Sequence, residues 1–393
     1  MRRAIILGGS GLIGRAVARR LLESGWDVDI TGRLQSNVPA DLIASGAGFF
    51  AADRSDAAAL RQVVGAGADL LVDCLCFTAA DARQLLPVLA DVESAVMLSS
   101  KAVYVDSLGR HVNSPDRPVF SGPISEDQPT VAPGNGYFDS PEGYGSNKVA
   151  AEHVLLDSGY PVSIVRASKV HGEGASPARE WVFVRRVLDA RNAVFLAGSG
   201  SGVDHTTAAV NAAALVECIA ANPGSRILNS ADPDAPSALE ISRVVAAYFG
   251  HQWEEVLLGG GAESEGSAVG EGAAGVGGAG GVHGVDGVGS AEAPEAGGVD
   301  GAGEAEAPVA GRGRDSLHLG AHPWESAAPI VLDTRASAAL GYVPEGNYAA
   351  TVQAELEWLF RSANDRRSAT DRSEFFNRYV HYFAEDQFLS KWR

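Results

Sequence analysis

A tyrosine and a lysine four positions apart are the residues of this chain whose types and spacing point most directly to chemistry. Tyr144 and Lys148 are predicted to share one face of a helix, because residues four apart are neighbours on a helix surface. The chain has only four lysines, so a chance pairing of this kind is uncommon. An ammonium group beside a phenol stabilises the phenolate and lowers its pKa from about 10, which makes the tyrosine usable as a general acid and base.

A glycine-rich turn near the start of the chain is the second chemical signal. Gly8, Gly11 and Gly14 lie between a predicted strand and a predicted helix. In such a turn the glycines permit a tight bend, a close approach of backbone to phosphate, and close packing of helix on strand. The backbone of Leu12 and Ile13 would present free N–H groups at the helix N-terminus. The turn therefore predicts a dinucleotide site, and a purely structural turn is the alternative.

The end of the second predicted strand bears on the choice of dinucleotide. Gly32 occupies the position where an NAD site usually carries an acidic residue, and Arg33 follows it. This pattern favours NADP over NAD, unless Arg33 is simply a solvated loop residue. Asp53, just beyond the third predicted strand, could bind the adenine amino group or could cap a turn.

Further candidates lie where predicted strands end. Ser99 and Ser100 end the fifth strand, and ligands bind at the carboxyl ends of parallel strands. A serine hydroxyl there could bond a substrate carbonyl, or could only cap the chain. Lys101, Lys169 and His171 are expected on loops at the same cleft, where a cation could bind a substrate phosphate. For His171, a loop histidine without a ligand is the favoured interpretation.

The elements that must position these residues alternate regularly along the first half of the chain. Apolar runs predict strands at 4–7, 27–31, 49–51, 70–72, 95–98 and 162–165, and periodic segments predict helices at 12–23, 56–64, 79–89 and 144–157. Ser140 and Pro141 mark the start of the last helix as N-cap and first helical residue. Such alternation implies a parallel sheet covered on both faces. We therefore predict an α/β fold with a doubly wound, Rossmann-type parallel sheet.

The later part of the chain is expected to form a smaller mixed α/β substrate lobe. Its predicted helices lie at 181–188, 210–221 and 239–249, and its short strands at 226–229, 253–258 and 330–332. The dinucleotide-binding domain would span residues 1–169 with a lid-like insertion at 105–139, and the lobe would comprise 170–258 and 312–360.

Two segments of unusual composition complete the organisation. The stretch 259–311 contains 19 glycines, nine acidic residues and no aromatic residue, Lys or Arg, so we predict a disordered acidic insert. A C-terminal helical extension is expected at 361–393. Its aromatic residues are predicted to lie on one helix face, which packs on its own domain or on a partner subunit: Phe375, Phe376, Tyr379, Tyr382 and Phe383.

Together these motifs resemble a known family. The turn from Gly8 to Gly14, the Ser-Ser-Lys-Ala-Val-Tyr run of 99–104 and the Tyr144/Lys148 pair are similar to the extended short-chain dehydrogenase/reductase family, of the NAD-dependent epimerase/dehydratase type. The similarity covers about residues 1–258 and resumes around 330–358. It implies an NAD(P)-dependent epimerase, dehydratase or reductase that transfers hydride at a hydroxyl or keto carbon of a nucleotide sugar or similar small molecule.

The resemblance also implies roles for individual residues. Tyr144 would be the general acid and base, Lys148 would lower its pKa and hold the nicotinamide ribose, and Ser100 would polarise the reacting carbonyl or hydroxyl. The segment after the fourth strand differs from the usual family pattern and rebuilds the adenine-side wall, with Leu75 expected at the cofactor and Phe77 at the substrate. A non-catalytic dinucleotide-binding protein, redox-sensing or RNA-associated, is the alternative, which the complete Ser/Tyr/Lys set opposes.

Composition excludes several other classes. A formal net charge of −18 and the lack of a basic patch oppose nucleic-acid binding. The three cysteines are too few for a disulfide framework, and no metal-ligand pattern is found. Neither a membrane-spanning run nor a signal-peptide pattern is recognisable, so we expect a cytoplasmic protein that does not bind membranes. A homodimer remains open.

Overall fold

The computed structural model describes residues 2–259, 318–364 and 378–392. Apart from Gly259, the predicted disordered insert at 259–311 lies outside the described residues. Phe375 and Phe376 of the predicted aromatic face lie outside them as well.

The described residues form strands and helices in the alternating order that the sequence predicts. The strands are β1 (Arg3–Leu7), β2 (Asp27–Gly32), β3 (Gly48–Ala51), β4 (Ala68–Asp73), β5 (Val92–Ser100), β6 (Val162–Ala167), β7 (Lys169–His171), β8 (Ala193–Leu196), β9 (Thr206–Ala208), β10 (Arg226–Ser230) and β11 (Glu254–Leu257). The helices are α1 (Leu12–Glu23), α2 (Ala40–Ala44), α3 (Ala57–Val64), α4 (Ala79–Leu89), α5 (Pro141–Leu156), α6 (Trp181–Leu188), α7 (Ala209–Ala221), α8 (Ala238–Tyr248), α9 (Arg335–Ala339), α10 (Tyr348–Thr351), α11 (Gln353–Asn364) and a C-terminal helix (Tyr382–Trp392).

Seven parallel strands form the main sheet in the order β10-β6-β5-β4-β1-β2-β3. Strand β1 pairs with both β2 and β4, so that Ile5 lies between Asp29 and Leu71. The strand order reverses at β1 and β4, and in open α/β sheets the ligand crevice lies at the carboxyl ends of the strands at such a point. The structure confirms the predicted doubly wound, Rossmann-type sheet.

Helices cover both faces of this sheet. On one face α1 and α7 share a buried core with the sheet, in which Val17 and Leu215 are fully buried. On the other face α3, α4 and α5 pack over residues such as Leu71 and Met97. Strand β10 therefore belongs to the main sheet and helix α7 packs on it, although both lie in the part of the sequence that was expected to form the second lobe. The reason is that the chain returns to the sheet after β9, and β10 pairs with β6.

The second lobe has its own core around α6, α8 and α11. Phe183 stacks on Trp324 with ring centroids 5.7 Å apart, and both side chains are buried. Strand β8 pairs with β11. Strand β11 lies within the strand predicted at 253–258 and is one residue shorter at each end. The predicted strand at 330–332 is wrong. Ile330 bridges to Asp204 and Leu332 to Ile124, so its residues pair singly with different segments and form no ladder.

The C-terminal helix is anchored by an ion pair as well as by the contact of the Phe388 ring with that of Phe195 in β8. It begins at Tyr382, so Tyr379 precedes the helix and does not share the predicted face. Phe383 is 78% exposed. Glu385 pairs with Arg186 of α6 at 2.7 Å, with both side chains buried, and this contact holds the helix on the second lobe.

Candidate active site

Helix α5 carries the predicted catalytic pair and begins as its sequence indicates. The Ser140 hydroxyl accepts a hydrogen bond from the Gly143 N–H at 3.0 Å, and Pro141 is the first helical residue. Gly145 allows the helix to lie against the turn that follows β5, since a Cβ there would be 2.8 Å from the Ala102 carbonyl oxygen. This close approach brings Tyr144 to the carboxyl end of β5.

Lys148 lies in the interior directly beneath the site. Its side chain is 1% exposed, and Nζ donates to the carbonyl oxygens of Cys76 at 2.9 Å and Leu98 at 3.0 Å. Burial lowers the pKa of Lys148. The ammonium group lies 5.9 Å from the centre of the Tyr144 ring and 4.4 Å from that of Phe77. Lys148 is therefore a positioned cation next to both aromatic rings.

The two serines at the end of β5 have different environments. The Ser100 hydroxyl accepts from the Ala102 N–H at 3.1 Å. Ser99 instead donates to the Glu152 carboxylate at 2.5 Å, and Glu152 pairs with Arg166 of β6. This buried network fixes the strand end that presents Ser100. Sequence reasoning missed it, because the partners lie on three separate elements.

The glycine turn has the geometry that a phosphate-binding loop requires. Gly8 has φ of +81°, and a Cβ on Gly14 would lie only 2.5 Å from the Gly8 carbonyl oxygen. Helix α1 starts at Leu12, and Gly11 supplies no side-chain cap, so no capping side chain occupies the N–H groups of the first turn, which is the arrangement that an anion site requires. Leu75 packs over Gly8, where a Cβ would be 2.8 Å from its Cγ. These residues fit a dinucleotide phosphate.

Arg33 and Asp53 are both exposed and lie near each other, just beyond the ends of β2 and β3. Asp53 accepts from the Ser55 N–H at 2.8 Å and from its hydroxyl at 2.7 Å. These bonds, followed by the charge of Arg33, lower the pKa of Asp53. Asp53 therefore holds a turn.

A buried ion pair next to this turn, between Arg54 and Asp73, was not recognised from the sequence. Arg54 donates to Asp73 at 2.6 Å and 3.0 Å, and Asp73 also accepts from the Leu75 N–H at 2.8 Å. The pair fixes the loop that carries Leu75 and Phe77. Nothing in the local pattern distinguishes Arg54 from a solvated arginine, since its partner is on another strand.

Tyr144 also lines a cleft to which the glycine turn does not contribute. The segment predicted as a lid contributes part of its wall, and the lining residues include Lys101, Lys169, Asp204, Val112, Asn113, Arg117 and Pro118. Lys101 lies in a short 3-10 turn and Lys169 in β7, where loops were expected, because β7 pairs with β9. Phe77 stacks on Phe138 with centroids 5.4 Å apart.

His171 is not brought to this cleft with the two lysines. It is also part of β7, it is buried, and its Nε2 lies 2.8 Å from the carboxylate of Asp232. Burial by itself lowers the pKa of His171, but the Asp232 carboxylate outweighs burial, so the pKa is raised. The ring lies 5.0 Å from that of Tyr348. His171 thus belongs to a second buried cluster.

Two further properties concern only the described parts of the chain. No helix within residues 2–259, 318–364 and 378–392 is long and apolar enough to cross a membrane. The same residues contain no group of three or more His, Cys, Asp or Glu side chains that could hold a metal ion.

A doubly wound parallel sheet with a glycine turn ahead of its first helix defines a Rossmann-type protein. The chain belongs to the NAD dependent epimerase/dehydratase family, whose model matches residues 4–229. No curated protein matches it in sequence.

Solved structures of nucleotide-sugar enzymes share the fold at low identity. The dTDP-glucose 4,6-dehydratase of Bacillus anthracis, in complex with NAD, is 12% identical with a TM-score of 0.59, covering 93% of this chain and 98% of that one. The UDP-glucose 4-epimerase of Thermotoga maritima is 14% identical with a TM-score of 0.59, covering 92% and 99%. The UDP-glucuronic acid 4-epimerase of Bacillus cereus, with UDP-glucuronic acid and NAD, is 15% identical with a TM-score of 0.58, covering 91% and 99%.

Proposed function

We propose that this protein is an NAD(P)-dependent oxidoreductase or epimerase that acts at a hydroxyl or keto carbon of a nucleotide sugar or similar small molecule. One observation carries the proposal. Tyr144 and Lys148 lie on one helix that packs closely on the turn directly after Ser100, and Lys148 also bonds the Leu98 carbonyl oxygen of β5. The glycine turn follows β1 at the same, carboxyl end of the parallel strands. Fold and family membership support the same activity class.

The residues that would hold the dinucleotide follow the crevice from one end to the other. The backbone of Gly8, Gly11, Leu12, Ile13 and Gly14 would bind its phosphates at the start of α1. Leu75, which covers Gly8, would line the wall beside the phosphates, and Asp53, near Arg33, would lie at the adenine end. Arg33 favours a 2′-phosphate and hence NADP, whereas the solved relatives contain NAD. When bound, the nicotinamide supplies a two-electron hydride acceptor or donor.

Tyr144 would transfer one proton to or from the substrate oxygen, assisted by the side chains around it. The Tyr144 phenolate takes the proton from a substrate hydroxyl, and the resulting phenol returns it in the reverse direction. Lys148 stabilises the phenolate, because its ammonium group is held by two carbonyl oxygens and is shielded from water. Ser100 donates a hydrogen bond to the same substrate oxygen. Phe77, Lys101 and Lys169 would contact other parts of the substrate.

Replacement of the phenolic hydroxyl tests this proposal. The Tyr144→Phe variant is expected to retain dinucleotide affinity and to lose turnover on UDP-glucose, UDP-glucuronic acid and dTDP-glucose. Tyr137→Phe is the matched control, since Tyr137 is 70% exposed. Mass spectrometry of the dinucleotide released on denaturation identifies NAD or NADP. Full activity of Tyr144→Phe would contradict the proposal, and dinucleotide binding without turnover of any tested compound would favour the non-catalytic alternative.

A further inference from the structure

Two buried ammonium groups lie beside Tyr144 in the wall of the cleft. Lys101 is 2% exposed and Lys169 is 6% exposed. One carboxylate, that of Asp204, forms an ion pair with Lys101 and lies 3.2 Å from the Nζ of Lys169. Two ammonium groups thus share one carboxylate, which leaves a net positive charge in this buried wall.

The hydrogen bonds of Lys101 leave capacity for a ligand. An ammonium group has three N–H donors. Among the residues that the structure describes, Lys101 donates to Asp204 and to the Ser168 hydroxyl at 3.1 Å. One donor is therefore available to a group in the cleft that Lys101 lines together with Tyr144.

The charge of the described cleft wall is opposite in sign to that of the chain. Its charged lining residues are Lys101, Lys169 and Arg117 against the single acid Asp204, in a chain whose net charge is −18. Burial would raise the pKa of Asp204, but the two ammonium groups outweigh it and lower that pKa to about 2, so the acid stays ionised. A concave site lined by one sign of charge concentrates ligands of the other sign.

Two histidines near the lysines do not alter this balance at neutral pH. Burial lowers the pKa of His205, which packs near Lys101, and that of His322, which packs near Lys169. Both rings are therefore neutral near pH 7. The positive charge of the wall comes from Lys101, Lys169 and Arg117.

We propose that this cleft binds an anionic group, a carboxylate or a phosphate, carried by the substrate close to the carbon on which Tyr144 acts. Lys101 bonds the anion directly, Lys169 and Arg117 lie alongside, and Asp204 holds the two lysines in place. The cofactor phosphates are a different anion, because the glycine turn does not line this cleft. The inference rests on the proposed function and narrows its substrate to a compound that carries a carboxylate or phosphate close to the reacting carbon.

Pairs of probes that differ in one anionic group test the inference. Isothermal titration of the full chain, saturated with NAD or NADP, compares UDP-glucuronic acid with UDP-glucose for a carboxylate, and glucose 6-phosphate with glucose for a phosphate. In the wild type at least one anionic probe is expected to bind about tenfold more tightly than its neutral counterpart, as one charge-assisted hydrogen bond provides. The arm that shows the preference identifies the carboxylate or the phosphate.

Variants of Lys101 assign the preference to this site. Lys101→Met is expected to abolish it and Lys101→Arg to retain part of it, while Lys391→Met, at an exposed position of the C-terminal helix, leaves it unchanged. Circular dichroism checks that each variant folds. Where Lys101→Met does not fold, equal affinities in the wild type still overturn the inference, and the partial preference expected of Lys101→Arg still assigns it to this site.

Equal affinities within both pairs, absence of binding, or a preference that persists in Lys101→Met would each overturn the inference. Failure of the proposed function has a separate signature, which is the lack of dinucleotide binding or the full activity of Tyr144→Phe. If the protein binds dinucleotide and needs Tyr144 but does not distinguish the probes, the proposed function stands and only the inference about an anionic group on the substrate is refuted.

Discussion

The glycine turn makes a quantitative prediction through Gly14. A Cβ at this position would lie 2.5 Å from the Gly8 carbonyl oxygen and 2.9 Å from the Gly9 Cα. Non-bonded carbon atoms normally approach to about 3.5 Å. Gly14→Ala therefore requires the turn to open by roughly 0.6 Å or more, because both opposing atoms belong to the backbone and cannot rotate away.

The energetic consequence falls on cofactor binding. Overpacking of a tight site costs about 1–3 kcal/mol. In the free variant the turn opens and the strain is relieved. Binding of the dinucleotide requires the turn to close around the phosphates, so the strain energy then opposes binding. The dissociation constant for the dinucleotide is then expected to rise by about 5- to 150-fold.

Titration of NADH and NADPH fluorescence against wild type and Gly14→Ala measures this change. Gly122→Ala is the matched control, since a Cβ at Gly122 meets nothing within 4 Å and its φ is not positive. We expect the control to bind as the wild type does. An unchanged dissociation constant in a folded Gly14→Ala protein would refute the reasoning that this turn closes around the phosphates.

Three further predictions concern buried charges. Arg54→Leu leaves Asp73, which is 1% exposed, without its guanidinium, and is expected to lower the free energy of unfolding in urea by about 3–5 kcal/mol. Adding Asp73→Asn should recover part of this loss, and a strictly additive double variant would contradict the pairing. Burial, followed by the nearby Glu180 carboxylate, raises the pKa of Glu355 well above 4.5. The protonated carboxyl is thus the form that the fold favours, so its contribution to stability is complete below about pH 4.5 and is lost as the pH rises through the raised pKa. In Glu355→Gln the fall in melting temperature between pH 5 and pH 8 should be smaller than in the wild type, and an equal fall would argue against this role. Lys148→Met is expected to lower kcat by about 100-fold or more and to move the pH–rate profile to higher pH, because the phenolate loses its cation. A reduced rate with an unshifted profile would mean that Lys148 has only a structural role.

The parts of the site that lie on one element were predictable from the sequence. The structure places Tyr144 and Lys148 on one helix, and the cap at Ser140 is formed as expected. The glycine turn lies between β1 and α1, where its spacing predicts it. Helix periodicity, capping and turn geometry depend on neighbours in the chain, so a single segment contains the information.

Elements that depend on a distant partner were predicted less well. The short strands β7, β8 and β9 were not predicted, and 330–332 was assigned to a strand that does not form. A strand of three or four residues is stabilised by the segment with which it pairs rather than by its own propensity. Helix α7 and strand β10 were expected in the second lobe and instead pack with the main sheet, for the same reason: their contacts with α1 and β6 are long-range.

The alternation of strands and helices, the phosphate turn and the Tyr144/Lys148 pair follow from local patterns of size, polarity and backbone freedom. Tertiary structure alone decides which charges meet: Asp73 with Arg54, Glu152 with Arg166, and Asp204 with Lys101 and Lys169. It also separates His171, which pairs with Asp232, from the lysines at the cleft. The physical reason is that an ion pair acts through space and gains its strength from burial, and neither the partner nor the burial is recorded in the residues adjacent along the chain.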